Sequence, residues 1–197
     1  MSGASNLLNR VFNNSDLKNL GMEGNPSEFG IYLSLIKSNN LHIKKGDEFV
    51  ISIENTNNKS IKTIYDEFLK LIKGSKEAVN VSDIYAHFVK QPYGIKIGLL
   101  PILIGIFFKA TEASCAFYNK DEQGRESLIT EFDQKIAERL YHMPETLKIM
   151  FVKIEGEKQI ILDEFKSYVE KNFLNNQPIE NPTPLYVLKP IVVKAYK

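Results

Sequence analysis

An unbroken apolar run, Ile97–Phe108, constrains the fold of this chain more than any other feature. Lys96 and Lys109 bound it, and at twelve residues it falls short of the roughly 20 that a membrane-spanning helix needs. Pro101 would remove a hydrogen-bond donor from a central β-strand, but it is harmless in the first turn of a helix. The run therefore predicts a buried helix from about Gly98 to Ala110.

Periodicity in the rest of the chain predicts an α+β, mostly helical fold. Apolar residues recur at helical spacing, with Thr130 and the segment 81–83 as predicted caps. The predicted helices are 27–38, 61–74, 81–89, 131–142, 157–173 and 185–196. Alternation of apolar and polar residues predicts a hairpin at 41–53, a second at 113–118 and 126–130, and a strand at 147–151.

The order of these elements predicts three parts, and the middle one is winged-helix-like. Two helices, the apolar third helix and a hairpin follow one another across 58–130, which is the order of a winged-helix module. Residues 1–57 form an N-terminal helix plus hairpin, and residues 131–197 form a helical C-terminal part packing on the module. The alternative is that all three parts make one compact unit.

Charge argues against sequence-specific DNA binding. The chain has 25 Lys and Arg against 24 Asp and Glu, and the module 58–130 has ten against eight. A helix that reads base edges needs Arg, Asn, Gln or Lys on its outward face, whereas the third helix offers only apolar residues. A winged-helix nucleic-acid-binding domain stays the alternative function, with Lys96, Lys109, Lys120 and Arg125 as its contact residues.

The familiar nucleotide-binding, hydrolase and metal-binding motifs are absent from the sequence. Phosphate-binding G-x-x-x-x-G-K-[ST], nucleophile-elbow and H-E-x-x-H patterns are all missing. Asp83 and His87 share a helix face without a third partner, His42 and His142 are predicted turn or surface residues, and Cys115 is predicted to be a small buried residue. The sequence thus predicts a non-catalytic chain without cofactor or metal. A single cysteine and no visible secretory signal favour the cytoplasm.

The last predicted helix, from Thr183 to Tyr196, carries more apolar surface than an amphipathic helix needs to pack one face on a core. We interpret it as a partner-facing element, with contact residues Leu188, Ile191, Val192 and Ala195. The alternative is that this helix packs on the helix at 157–173 and completes the core of its own domain.

Two stretches of the sequence resemble a known family. They are Leu20-Gly21-Met22-Glu23-Gly24 with the following helix to Leu41-His42, and Val81-Ser82-Asp83-Ile84-Tyr85 with Gln91-Pro92-Tyr93-Gly94 leading into the apolar helix. Residues 20–197 resemble an internal region of large bacterial P-loop ATPases of phage defence, the BREX-type ATPases and their relatives.

This resemblance implies a helical and winged-helix region that serves assembly or regulation, while the nucleotide motor lies elsewhere in the parent protein. We therefore expect an interaction or regulatory domain cut from a larger cytosolic ATPase. Its partners would be other domains of that protein or a separate protein, with no membrane.

Overall fold

The computed structural model describes residues 3–152 and 157–175. The described residues fall in two compact units, the first within Met1–Glu112 and Ala116–Phe151 and the second within Ala113–Cys115 and Val152–Lys197. The predicted boundaries after residues 57 and 130 both lie inside the first unit. The predicted helix from Thr183 to Tyr196 lies outside the described residues.

The chain begins with a helix that the sequence analysis missed. Helix α1, Gly3–Asn13, buries Leu7, Leu8 and Val11 completely. A 3-10 turn at Lys18–Gly21 follows, in which Asn19, Leu20 and Gly21 adopt positive φ angles of 52°, 55° and 65°. This turn reverses the chain, so the next helix packs on α1.

The first predicted helix, 27–38, and the first predicted hairpin are confirmed. Helix α2, Phe29–Ile31, continues as a π-helix at Tyr32–Lys37. Strands β1, His42–Lys45, and β2, Glu48–Ile51, pair antiparallel.

Three helices follow as predicted. Helix α3, Lys59–Gly74, is capped by Asn58, whose side-chain oxygen accepts from the backbone amides of Ser60 and Ile61. Helix α4, Val81–Val89, is capped by Asn80 rather than by residues 81–83. The apolar run forms a 3-10 turn, Ile97–Leu99, and then helix α5, Leu100–Thr111, with Pro101 in the first turn.

A four-stranded sheet departs from the winged-helix pattern in its strand order. Its strands are β3, Val79–Asn80; β4, Cys115–Lys120; β5, Glu126–Leu128; and β6, Leu147–Phe151. The order is β3-β6-β4-β5, so β6 separates the hairpin from β3. Leu147 and Ile149 are fully buried in this central position. The α+β, mostly helical class is confirmed.

The last two described helices differ from prediction in their details. Helix α6, Gln134–His142, is capped by Asp133 and not by Thr130, because the side chain of Asp133 accepts from the Ile136 amide at 2.9 Å. Helix α7 spans Glu157–Phe173. Among its apolar residues, Leu162 and Val169 are buried, whereas Ile161, Phe165 and Tyr168 are 65%, 37% and 56% exposed.

Helix α5 forms the centre of the core. Every residue from Leu100 to Phe108 is buried, so each face of the helix is covered. Helices α1 and α6 and strand β2 contact it. From α3, the rings of Tyr65 and Phe68 pack on Phe107 with centroids 5.3 and 5.7 Å away. The prediction of a buried helix is confirmed.

Candidate functional site

An apolar groove runs along the outer side of α4, and we call it the α4 groove. Its volume is about 380 Å³, within the range of about 300–1,000 Å³ typical of ligand pockets. Three segments form it: α4, the residues that lead into α5, and the chain just after α6. The lining residues are Ser82, Tyr85, Ala86, Val89, Lys90, Ile97 and Pro144.

The apolar pattern of α4 explains one wall of the groove. Val81, Ile84 and Phe88 are buried and anchor the helix to the core. Ala86 and Val89 lie on the outer side, where Val89 is 44% exposed. Because Ala86 carries only a methyl group, this side of the helix leaves room beside Val89.

A returning turn after α4 forms the opposite wall. The amide of Gly94 donates to the carbonyl of Lys90 at 3.0 Å, and the amide of Ile95 donates to the carbonyl of Phe88 at 3.0 Å. These bonds fold the chain back along α4, so Ile97 reaches the groove. Its side chain is 68% exposed, the highest value among the large apolar residues described.

A neutral phenol forms part of the floor. Tyr85 is buried, and its hydroxyl donates to the carbonyl of Leu140 at 2.9 Å. Burial and, to a lesser extent, the neighbouring Tyr141 raise the pKa of Tyr85 well above its ordinary value of 10.0. The phenol therefore stays uncharged at physiological pH, and the floor stays apolar.

We define the rim of the groove as the lining residue Lys90 together with Met143 and Lys96, which are chain neighbours of lining residues; it combines exposed apolar surface with positive charge. Met143, adjacent to Pro144, is 46% exposed. Lys90 lines the groove, Lys96 precedes Ile97, and both side chains are exposed. An apolar cleft with a cationic rim fits an apolar ligand that carries a negative charge.

The four basic residues predicted to contact nucleic acid have different surroundings. Nζ of Lys109 lies 2.8 Å from Oε2 of Glu112, and both side chains are largely buried. Nε of Arg125 lies 2.8 Å from Oδ2 of Asp121 in the β4-β5 turn. Lys96 and Lys120 are exposed. Two of the four charges are thus neutralised by a neighbouring carboxylate, and the buried α5 offers no face to a DNA groove. The residues predicted to bind a protein partner, 188–195, lie outside the described part of the chain.

A second, polar pocket of about 220 Å³ lies beside α1. Its lining residues are Asn6, Asn9, Arg10, Asn14, Glu28 and Gln134. Glu28 is 3% exposed and accepts from Nε of Arg10 at 2.9 Å. Burial alone would raise the pKa of Glu28, but hydrogen bonds from the backbone, Arg10 and Ser27 outweigh it and hold the pKa below its ordinary value. This ion pair fixes the segment before α2 onto α1.

His42 is buried, so its prediction as a turn or surface residue is wrong. Its Nε2 donates to the carbonyl of Ser15 at 2.9 Å, and its Nδ1 accepts from the hydroxyl of Tyr32 at 3.0 Å. Burial lowers the pKa of His42, partly offset by the bond to Ser15. The neutral imidazole therefore joins two segments of the core, which the sequence pattern around residue 42 does not indicate.

The other residues whose chemistry the sequence analysis considered, His87 and Cys115, belong to no catalytic cluster among the residues described. Nε2 of His87 lies 3.3 Å from Oε1 of Glu67, on α3. Cys115 is buried, in agreement with its prediction. Within residues 3–152 and 157–175, no three His, Cys, Asp or Glu side chains are grouped to hold a metal ion. No helix in these ranges is both long and apolar enough to cross a membrane.

Comparison with known proteins returned no family model, no curated protein and no solved structure that matches this chain. The resemblance to BREX-type ATPases therefore stays a prediction.

Proposed function

We propose that this chain is a non-catalytic protein-interaction domain whose α4 groove binds a short apolar segment of a partner protein. The observation that supports this proposal is the groove itself, in which Val89, Ile97 and Pro144 form apolar walls over the uncharged Tyr85. We further propose, on the sequence resemblance, that the domain has an assembly or regulatory role in a larger cytoplasmic ATPase of the phage-defence type.

The energetics of the groove support an apolar occupant. Covering a Val or Ile side chain contributes about 1.5–3 kcal/mol when it goes from full exposure to full burial. Val89 and Ile97 are 44% and 68% exposed, so part of that free energy is still to be gained. Apolar residues on the incoming segment add their own contribution.

The cationic rim supports an acidic residue in the partner segment. Lys90 lines the groove, Lys96 directly precedes the lining residue Ile97, and both are exposed, so a carboxylate can approach them without losing all its water. Such rim pairs contribute modest affinity, about 0–1 kcal/mol each, and mainly fix orientation and specificity.

The burial of α5 favours a protein partner over duplex DNA. In winged-helix DNA readers the third helix lies in the major groove and exposes polar side chains to base edges. Here the residues from Leu100 to Phe108 are buried. The turn that leads into α5 instead contributes Ile97 to the apolar α4 groove, whose chemistry matches apolar side chains and not phosphates.

Selection from a library of random short peptides displayed on phage tests the proposal. We expect the selected peptides to share two or more apolar residues and at least one Asp or Glu. Val89→Asp should weaken their binding at least about tenfold, because it places a carboxylate in the apolar wall and repels the acidic residue. Leu33→Asp is the matched control, since Leu33 is a helical residue of similar exposure, 39%, outside the groove.

Equal loss of binding in the two variants would show that the peptides bind elsewhere. Selected peptides without apolar residues would contradict the proposed ligand chemistry. Circular dichroism of both variants separates these outcomes from unfolding.

A further inference from the structure

A second exposed apolar surface lies on α7, away from the buried side of that helix. Ile161, Phe165 and Tyr168 are 65%, 37% and 56% exposed. The rings of Phe165 and Tyr168 stack with centroids 6.4 Å apart. Large contiguous apolar surfaces are uncommon on monomers and mark interaction sites.

The spacing of these residues is that of a helix–helix seam. Ile161, Phe165, Tyr168 and Asn172 follow one another at intervals of four, three and four, which is the a/d pattern of a coiled coil. We call these four residues the α7 seam. The side-chain Nδ2 of Asn172 donates to the backbone carbonyl of Tyr168 at 2.8 Å, so the side chain of the polar seam residue lies along its own helix.

Charges beside the seam indicate which partner helix fits. Glu164 and Lys171 are both exposed and lie seven residues apart, on the same edge of the seam. The other edge carries Leu162 and Val169, which are already buried and uncharged.

This distribution of charge distinguishes two ways of pairing α7 with an identical helix. In an antiparallel pair, equivalent edges of the two helices meet, so Glu164 of each copy faces Lys171 of the other. In a parallel pair, each edge meets the opposite edge of its partner, and no charge pair forms. The same antiparallel register places Phe165 against Tyr168, and Ile161 against Asn172, of the second copy.

We propose that the occupant of the α7 seam is a second copy of this chain, bound antiparallel about a twofold axis. This surface lies outside the α4 groove, so self-association does not depend on the function proposed above. The 17-residue helix is about 25 Å long. A contact along one such helix is smaller than a standard interface of about 1,200–2,000 Å², so we expect a weak dimer with a Kd of about 10–100 µM.

Sedimentation velocity of the full chain, from about 1 µM to several times the upper expected Kd of about 100 µM, tests this proposal. The wild type should shift from monomer to dimer across this range, and Phe165→Glu should remain monomeric. Glu164→Lys alone and Lys171→Glu alone should each weaken the dimer about fivefold or more, because each puts like charges opposite one another twice.

The double variant Glu164→Lys/Lys171→Glu separates self-pairing from a general loss of folding. It restores both charge pairs with reversed sign, so it should dimerise about as well as the wild type. The control is Lys166→Glu/Glu170→Lys, which reverses the ion pair of 3.5 Å on another face of α7 and should leave dimerisation unchanged.

Two results would overturn the proposal. A wild-type chain that stays monomeric over the whole concentration range would show that a second copy does not occupy the seam. A dimer that is not rescued by the double charge reversal would show that the copies associate through another surface or in another orientation. Because Glu164 and Lys171 are exposed, all charge variants should keep the unfolding midpoint of the wild type, and this is measured alongside.

Discussion

Leu8 of α1 packs directly on Gly105 of α5, so closely that a β-carbon at position 105 would overlap the Cδ2 atom of Leu8. This contact joins the first helix of the chain to its central helix. It also shows that α1 covers this side of α5.

We expect Gly105→Ala to destabilise the protein by about 1–3 kcal/mol, the usual cost of overpacking a core. Alanine favours the helical conformation by up to about 1 kcal/mol over glycine, which opposes this loss but does not cancel it. Gly98→Ala is the control, because a β-carbon there meets no atom within 4 Å. Urea denaturation of the two variants measures the difference, and equal midpoints would contradict the close contact between α1 and α5.

A substitution at Leu103, within α5 itself, tests whether this helix is buried. It is 3% exposed, so Leu103→Ala should cost about 2–5 kcal/mol through lost transfer free energy and the cavity left behind. Leu33→Ala, at a position 39% exposed, should cost far less. A loss below about 0.5 kcal/mol for Leu103→Ala, the size of a surface substitution, would mean that the helix is not core.

His42 should make the fold sensitive to mild acid. Burial lowers the pKa of His42 below its value of 6.5 in the unfolded chain, so the unfolded state takes up a proton first as the pH falls. The contribution of neutral His42 is therefore fully present above about pH 6.5 and declines as the pH falls below it. Denaturant midpoints between neutral and mildly acidic pH measure this decline.

Two histidine variants test whether His42 causes the loss of stability in mild acid. His42→Gln should lower stability at neutral pH, because the bonds to Ser15 and Tyr32 are changed, and should flatten the loss below pH 6.5. His142→Gln, at an exposed position, should leave the pH dependence unchanged. An unchanged slope in His42→Gln would show that another group is responsible.

Duplex DNA should bind weakly at physiological salt, with a Kd no tighter than the non-specific range of about 1–100 µM. The reasons are the buried α5 and the pairing of Lys109 and Arg125 with Glu112 and Asp121. Fluorescence anisotropy with a labelled random duplex checks this. Nanomolar binding that is lost on replacing Lys96 and Lys120 would instead support the winged-helix nucleic-acid alternative.

Helix α5 and the hairpins could be predicted from sequence because local patterns specify them. Pro101 in the first turn of the apolar run indicates that this run is the helix α5. Apolar and polar residues alternate on both sides of the turn at Gly46, which indicates a hairpin. Helix α1 also has apolar residues at helical spacing, namely Leu7, Leu8 and Val11. It was not predicted because the segment is rich in asparagine, a residue of low helix propensity.

Other features depend on contacts between distant segments, which no local pattern reports. The position of β6 between β3 and β4 depends on pairing across some 70 residues, as between Val79 and Ile149. Helix α7 has apolar residues on two faces, and the sequence does not tell which face is covered. The α4 groove could not be predicted either, because its lining residues, such as Ser82 and Pro144, are far apart in the sequence.

The most direct test of the proposed function is to map a selected peptide onto the chain by amide chemical-shift perturbation in NMR. Our account predicts that the largest shifts cluster at Ala86, Val89, Lys90 and Ile97 and saturate with one peptide per chain. Saturable shifts confined to α7, to the polar pocket at Arg10 and Glu28, or to the β4-β5 turn would contradict the claim that the α4 groove is the binding site.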